Sequence, residues 1–173
     1  MEITRNGLRF ALWGSLLLLA AIITGCQSAA SVDKQAQQLT LSADKKTNPN
    51  EKGQPSPVNV RIYELKSTEA FLMSDYFTII DGSDAELLTQ IKKVYESMIK
   101  PGEKRDLNLH LATDTVALGI VVAYRDINHA QAIKTWSRKA PVDRPWYAIW
   151  RDNTPPVLQV NIEPLAISVK EVN

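Results

Sequence analysis

The chain has 173 residues, with 20 Lys and Arg against 19 Asp and Glu, two His and a single Cys. That length suits one domain with a substantial core, and one cysteine excludes a disulfide within the chain. A formal net charge of +1 excludes the basic stripe that phosphate backbones demand, so no nucleic acid is expected as a partner.

The N-terminus reads as a targeting segment. Arg5 and Arg9 precede Phe10–Ile23, fourteen mostly apolar residues, and Ile23-Thr24-Gly25 leads directly into Cys26. Basic region, apolar region and small-residue junction form a secretory signal. A branched residue, small residues and then Cys form the junction at which bacterial lipoproteins are cut. The apolar run is too short for a retained membrane span, which needs about twenty residues. Residues 1–25 are therefore expected to be removed, leaving Cys26 as an acylated N-terminus. Each buried methylene contributes about 0.8 kcal/mol, and two or three acyl chains hold far more firmly than one. Cleavage would leave 148 residues and, without Arg5, Arg9 and Glu2, 18 basic against 18 acidic groups. Gln27 is not the Asp that retains such lipoproteins in the inner membrane. The expected location is the inner leaflet of the outer membrane, with the domain in the periplasm.

Residues 26–38 form the lipidated Cys and a polar, aromatic-free stretch that reads as a flexible tether. Its twelve residues from Gln27 reach about 40 Å fully extended. The domain is expected over 39–173. Leu39–Ala43 alternates apolar and polar residues, a strand signal. Lys45–Pro57 then holds three Pro, one Gly and two Asn in thirteen residues, which predicts a loop. Connections of that length are uncommon in compact domains unless functional or disordered. Val58–Leu65 is a second strand.

A helical insertion is expected over about 67–100. Ser67–Ile80 reads as a short helix followed by an extended piece. Over Ser83–Ile99, Leu87, Ile91, Val94 and Met98 recur at helical spacing, Ser83 and Glu86 stand in capping-box positions, and Pro101-Gly102 stops the run. Strand patterns then resume. Leu107, Leu109 and Leu111 alternate with polar residues, and Thr115–Tyr124 is apolar on both faces, as in a covered central strand. Ala132–Lys139 and Trp146–Trp150 are weaker strand candidates. Leu158, Val160 and Ile162 alternate again, as do Leu165, Ile167 and Val169, with Pro164 requiring a bulge, an edge or a turn between them. The fold class is mainly β, an antiparallel β-sandwich with a helical insertion.

Catalytic machinery is not found, and no enzyme activity, metal, cofactor or small-molecule substrate is expected. Cys26 is consumed by lipid. His110 falls on the polar side of its strand, and His129 follows Asp126 in a turn where the acid serves backbone donors more readily than a metal. Arg125 is expected to pair with Asp75 or Asp81. Trp136, Trp146, Tyr147 and Trp150 read either as core or as a sticky ring for a partner. No phosphate-binding Gly-rich loop, nucleophile elbow or His-Glu-x-x-His run is present.

Asn48–Lys66, Phe71–Phe77, Pro101–Glu103 and Leu118–Asp126, in that order behind the lipoprotein junction, resemble the TssJ (SciN) family. Those are outer-membrane lipoproteins of the type VI secretion system. The resemblance implies a transthyretin-like sandwich and binding to the periplasmic C-terminal part of TssM, within a complex of TssJ, TssL and TssM. It also implies that the loop between the first two strands is a principal contact. Here Lys45, Lys46, Asn48, Pro49, Asn50, Glu51 and Gln54 are its candidate binding residues. The alternative is an unrelated periplasm-facing lipoprotein that binds a small ligand or serves envelope maintenance.

Overall fold

A computed structural model describes residues 35–139 and 156–172. The signal peptide, Cys26, most of the tether and the Trp146–Trp150 run lie outside them. The chain order is β1 (Gln35–Ala43), β2 (Val58–Leu65), α1 (Thr68–Met73), α2 (Tyr76–Asp81), α3 (Ala85–Gln90), β3 (Ile91–Ile99), β4 (Lys104–Leu111), β5 (Ala117–Val122), β6 (Ile133–Ser137), β7 (Val157–Ile162) and β8 (Ile167–Val172). Two four-stranded sheets result, β4-β1-β7-β8 and β3-β2-β5-β6. Every neighbouring pair is antiparallel except β1 with β7. The fully antiparallel expectation is corrected there, because β1 lies between two strands drawn from distant parts of the chain.

The inward residues of both sheets form the main core. Leu39 and Leu41 of β1, Val60 and Ile62 of β2, Ile120 and Val122 of β5, and Leu158, Val160 and Ile162 of β7 are all buried in one cluster. A second cluster lies on the outer face of the β2–β5 sheet, where Tyr63, Leu65, Ala117 and Val121 meet Phe71, Ile79 and Leu87 of the three helices. Strand β5 is therefore covered on both faces and wholly buried, which explains its unbroken apolar sequence. Gly119 makes the contact possible: a Cβ there would stand 2.5 Å from Cζ of Phe71.

The helical insertion is shorter than expected and ends at Gln90. Residues 76–81 form a helix, where an extended piece was expected, because the Asp75 carboxylate accepts from the Phe77 and Thr78 amides at 2.8 and 3.0 Å. Asp84 caps α3 in the same way, through Glu86 and Leu87; Ser83 does not. Beyond Gln90 the expected helix is an edge strand. Its register with β2 slips between Ile62 and Tyr63, which pair with Tyr95 and Lys93 and leave Val94 as an extra residue. That bulge puts Ile91 and Met98, seven residues apart, on the same face of β3. One bulge in a period-two pattern thus imitates a helical repeat, while Ile91, Val94, Tyr95 and Ile99 suit a strand.

Strand β1 begins four residues before its apolar alternation. Gln37 is 2% exposed, and its amide donates to the Pro156 carbonyl at 2.7 Å, so a hydrogen bond satisfies the one buried side chain of an otherwise exposed strand end. Pro164 lies in the turn between β7 and β8.

Candidate functional site

Strand directions define two poles. Ala43 pairs with Ile162, Ser42 with Lys104, and Val58 with Ile99, so the β1–β2, β3–β4 and β7–β8 connections gather at one pole. Gln35 pairs with Leu111, and Leu65 with Ile91 and Ala117, at the other. The chain enters the domain at Gln35. It crosses the sheet through nine residues of β1, roughly 25–30 Å at strand rise, before reaching the β1–β2 loop.

That loop is tied down at its base. The Thr47 hydroxyl donates to the Ile162 carbonyl at 2.8 Å, and the Asn48 amide N–H donates to Pro164 O at 3.0 Å. Asn48 is buried, with a positive φ of 52°, a conformation that Asn tolerates better than most residues. Its side-chain amide donates to Pro57 O at 2.9 Å, and its side-chain oxygen accepts from the Arg125 N–H at 2.7 Å. The Ser56 hydroxyl closes the base by donating to Asn48 O at 2.6 Å. Gly102 in the β3–β4 turn donates to Asp44 O at 3.2 Å.

The tip is closed by Asn50. Its side-chain oxygen accepts from the Lys52 and Gln54 amides, both at 2.9 Å, and its backbone N–H donates to Gln54 O at 2.8 Å. Gly53 completes the reversal with φ 74°, a region open to Gly at no steric cost. Glu51, Lys52, Gly53, Gln54 and Pro55 are exposed, as are Asp44, Lys45 and Lys46. The result is a polar finger whose shape is set by its own hydrogen bonds.

Neighbouring groups stiffen the same pole. The Tyr124 hydroxyl lies 2.6 Å from Ala166 O and 3.0 Å from Glu163 O, donating its one proton between them. Burial, with a smaller contribution from the Glu163 charge, pushes its ionisation well above the usual tyrosine range. Glu103 accepts from the Lys100 amide at 2.9 Å and pairs with Arg105; those two contacts hold its carboxyl below the usual range. Beside the loop, Pro57, Met98, Pro101 and Arg105 line an open depression of about 620 Å³.

The expected binding residues therefore divide. Lys45, Lys46, Glu51 and Gln54 are exposed, Pro49 and Asn50 are half-buried, and Asn48 is withdrawn from the surface as the pin of the loop. Thr47 and Ser56 share the pinning role, and Lys52, outside the expected set, is exposed at the tip. Elsewhere, His129 Nδ1 lies 2.8 Å from Asp126 on an exposed turn, and His110 is exposed. Asp75 caps α2, and no ion pair joins Arg125 to Asp75 or Asp81 among the described residues. Trp136 is half-buried against the main core and donates to Glu171 at 3.1 Å. Among the described residues no group of three or more His, Cys, Asp or Glu is placed to hold a metal, and no helix is long and apolar enough to cross a membrane.

Residues 35–160 match the T6SS-SciN family, described as type VI secretion lipoprotein, VasD, EvfM, TssJ. No curated protein matches the chain. Among solved structures it is similar to the T6SS lipoprotein TssJ1 from Pseudomonas aeruginosa, at 26% identity and a TM-score of 0.68, over 81% of this chain and 98% of that one. Lip from Serratia marcescens, a membrane-bound component of the type VI secretion system, is 18% identical with a TM-score of 0.68, over 81% of this chain and 99% of that one. A chain of the structure described as the T6SS protein TssM C-terminal domain (869-1107) from EAEC is 19% identical with a TM-score of 0.56, over 80% of this chain and 99% of that one. At those identities the last two are likenesses of fold.

Proposed function

The chain belongs to the T6SS-SciN (TssJ) family of type VI secretion lipoproteins, and on that premise we propose that it is an outer-membrane-anchored adaptor that binds the periplasmic C-terminal region of TssM. Through that contact it links the inner-membrane TssM–TssL part of the complex to the outer membrane. Its work is binding and holding, without turnover. Family membership removes the alternative of an unrelated lipoprotein.

The observation that carries this reading is polar separation. Cys26 would hold lipid nine residues before Gln35, where the chain enters the domain, and the β1–β2 finger projects from the opposite pole. A domain held in the inner leaflet of the outer membrane by that end can present the finger across the periplasm. Thr47, Asn48 and Asn50 order the finger before any partner arrives, so less conformational freedom is lost on association. The fold likeness to a chain in the TssM C-terminal domain structure is in keeping with this assignment. Lys45, Lys46, Pro49, Asn50, Glu51, Lys52 and Gln54 would form the contact, with Asn48 supporting them from beneath.

The test is co-purification. The periplasmic region of the TssM-like protein from the same cells is expected to be retained by the immobilised full chain, and less so when Glu51, Lys52 and Gln54 are all changed to Ser. Equal retention by both chains would remove the finger from the interface.

A further inference from the structure

The helical insertion carries an apolar surface that the fold itself does not use. Seven large hydrophobic residues are exposed among the described residues, and four of them, Leu72, Met73, Phe77 and Leu88, lie on α1–α3 with exposures between 51% and 81%. On the same helices Phe71, Ile79 and Leu87 are buried against the sheet. The helices are thus apolar on both sides, and packing accounts for only one. Two of the outer side chains have defined neighbours: the Phe77 ring meets Tyr76 edge-on with centroids 5.2 Å apart, and Leu88 stands over Gly82, its Cδ2 3.5 Å from where a Cβ would be. Phe and Met are side-chain types favoured at protein interfaces.

Charge selects the occupant. Residues 67–90 contain Glu69, Asp75, Asp81, Asp84 and Glu86, with no Lys, Arg or His, and all five acids are exposed. Neighbouring cations are already engaged: Arg61 with Glu96 at 2.8 Å, Lys66 with Asp114 at 3.0 Å, Lys92 with Glu64 at 4.0 Å, and Lys93 with Glu96. None of the ion pairs among the described residues includes any of the five acids. A bilayer containing anionic lipid would repel such a face. A second copy docked through the same face about a two-fold axis would set like charges against one another.

We propose that the outer face of α1–α3 docks a cationic amphipathic segment of a protein partner, its apolar side chains against Leu72, Met73, Phe77 and Leu88 and its Lys or Arg groups beside the five carboxylates. This surface covers one sheet face and is separate from the finger at the pole, so it stands or falls independently of the TssM reading.

The probe is a fluorophore-labelled amphipathic helical peptide of Leu and Lys, titrated against the full chain in mild non-ionic detergent, with protein-free micelles as background. Saturable binding is expected, at least tenfold weaker for Met73→Ser combined with Phe77→Ser, and weaker again as salt rises. Glu69→Gln with Glu86→Gln should weaken it severalfold. A Leu and Glu peptide of the same pattern, and a Lys and Ser peptide without apolar residues, should each bind at least tenfold more weakly. The changed positions are exposed, and unaltered melting of the variants checks their folding. Absence of saturable binding, or equal binding by the variants, overturns the proposal. So does finding that the same variants abolish attachment to anionic vesicles, or a dimer, while leaving peptide binding intact.

Discussion

Replacing Asn48 by Ala tests whether the finger is built in advance of binding. The substitution strands two backbone groups, the Arg125 N–H at 2.7 Å and the Pro57 carbonyl at 2.9 Å. A polar group left without its partner costs about 1–3 kcal/mol when buried. Water reaches both positions in part, so the low end applies to each. The φ of 52° at Asn48 adds about 1 kcal/mol for Ala, which enters the left-handed region unwillingly. The sum is about 3 kcal/mol. At roughly 2–4 °C per kcal/mol, Tm should fall by about 10 °C. Asn48→Gly keeps the backbone conformation without strain and should recover about 1 kcal/mol of that loss. Thermal unfolding followed by circular dichroism, with hydrogen exchange at the Gln54 and Ser56 amides, reads both effects. If both variants melt within about 2 °C of the parent and the loop amides keep their protection, Asn48 does not pin the loop.

Four further outcomes are expected. Gly119→Ala places a Cβ 2.5 Å from Phe71 and should cost about 1–3 kcal/mol by overpacking; Phe71→Leu in the same chain should recover part of it, and a purely additive double mutant in urea melts would refute the contact. Leu87→Ala should cost about 2–5 kcal/mol, and a loss near zero in the same assay would mean that α3 is not packed on the sheet. Burial raises the Tyr124 ionisation in the folded state, so above pH about 10 the unfolded chain loses this proton and the folded chain keeps it. Stability should therefore fall by about 1.4 kcal/mol per pH unit from this group, and Tyr124→Phe should remove that component of an alkaline melt series; an unchanged slope would contradict it. Cys26→Ser should abolish acylation, and mass spectrometry of the purified chain should then lack the diacylglyceryl mass that the parent carries; an acyl-free parent would refute the anchor.

Seven of the eight strands among the described residues were legible: β1, β4, β7 and β8 because each turns one face to the core and so alternates, β2 because Val58, Val60 and Ile62 alternate before both its faces become buried, β6 more weakly, and β5 as an apolar run whose second face the helices cover. Strand β3 was not, since the extra residue at Val94 converts alternation into an apparent helical repeat. The start of β1 was hidden because a buried Gln37, satisfied by Pro156 O, leaves no hydrophobic trace. Pairing of β1 with β7 is set by tertiary packing and has no local signature. At the candidate site, Pro, Gly and Asn between 45 and 57 marked a loop of unusual length. Which Asn stays near the surface and which holds the backbone depends on Pro57, Arg125 and Pro164 arriving from three separate connections. The available signal was that Asn tolerates a left-handed backbone and bonds its own chain.

The central claim is that the exposed finger tip grips TssM while its base only supports the tip. Isothermal calorimetry between the full chain and the periplasmic region of the TssM-like protein, repeated with Glu51→Ser, Lys52→Ser and Gln54→Ser combined, addresses it most directly. The account predicts at least a tenfold loss of affinity with Tm unchanged; affinity equal to that of the parent chain would contradict it.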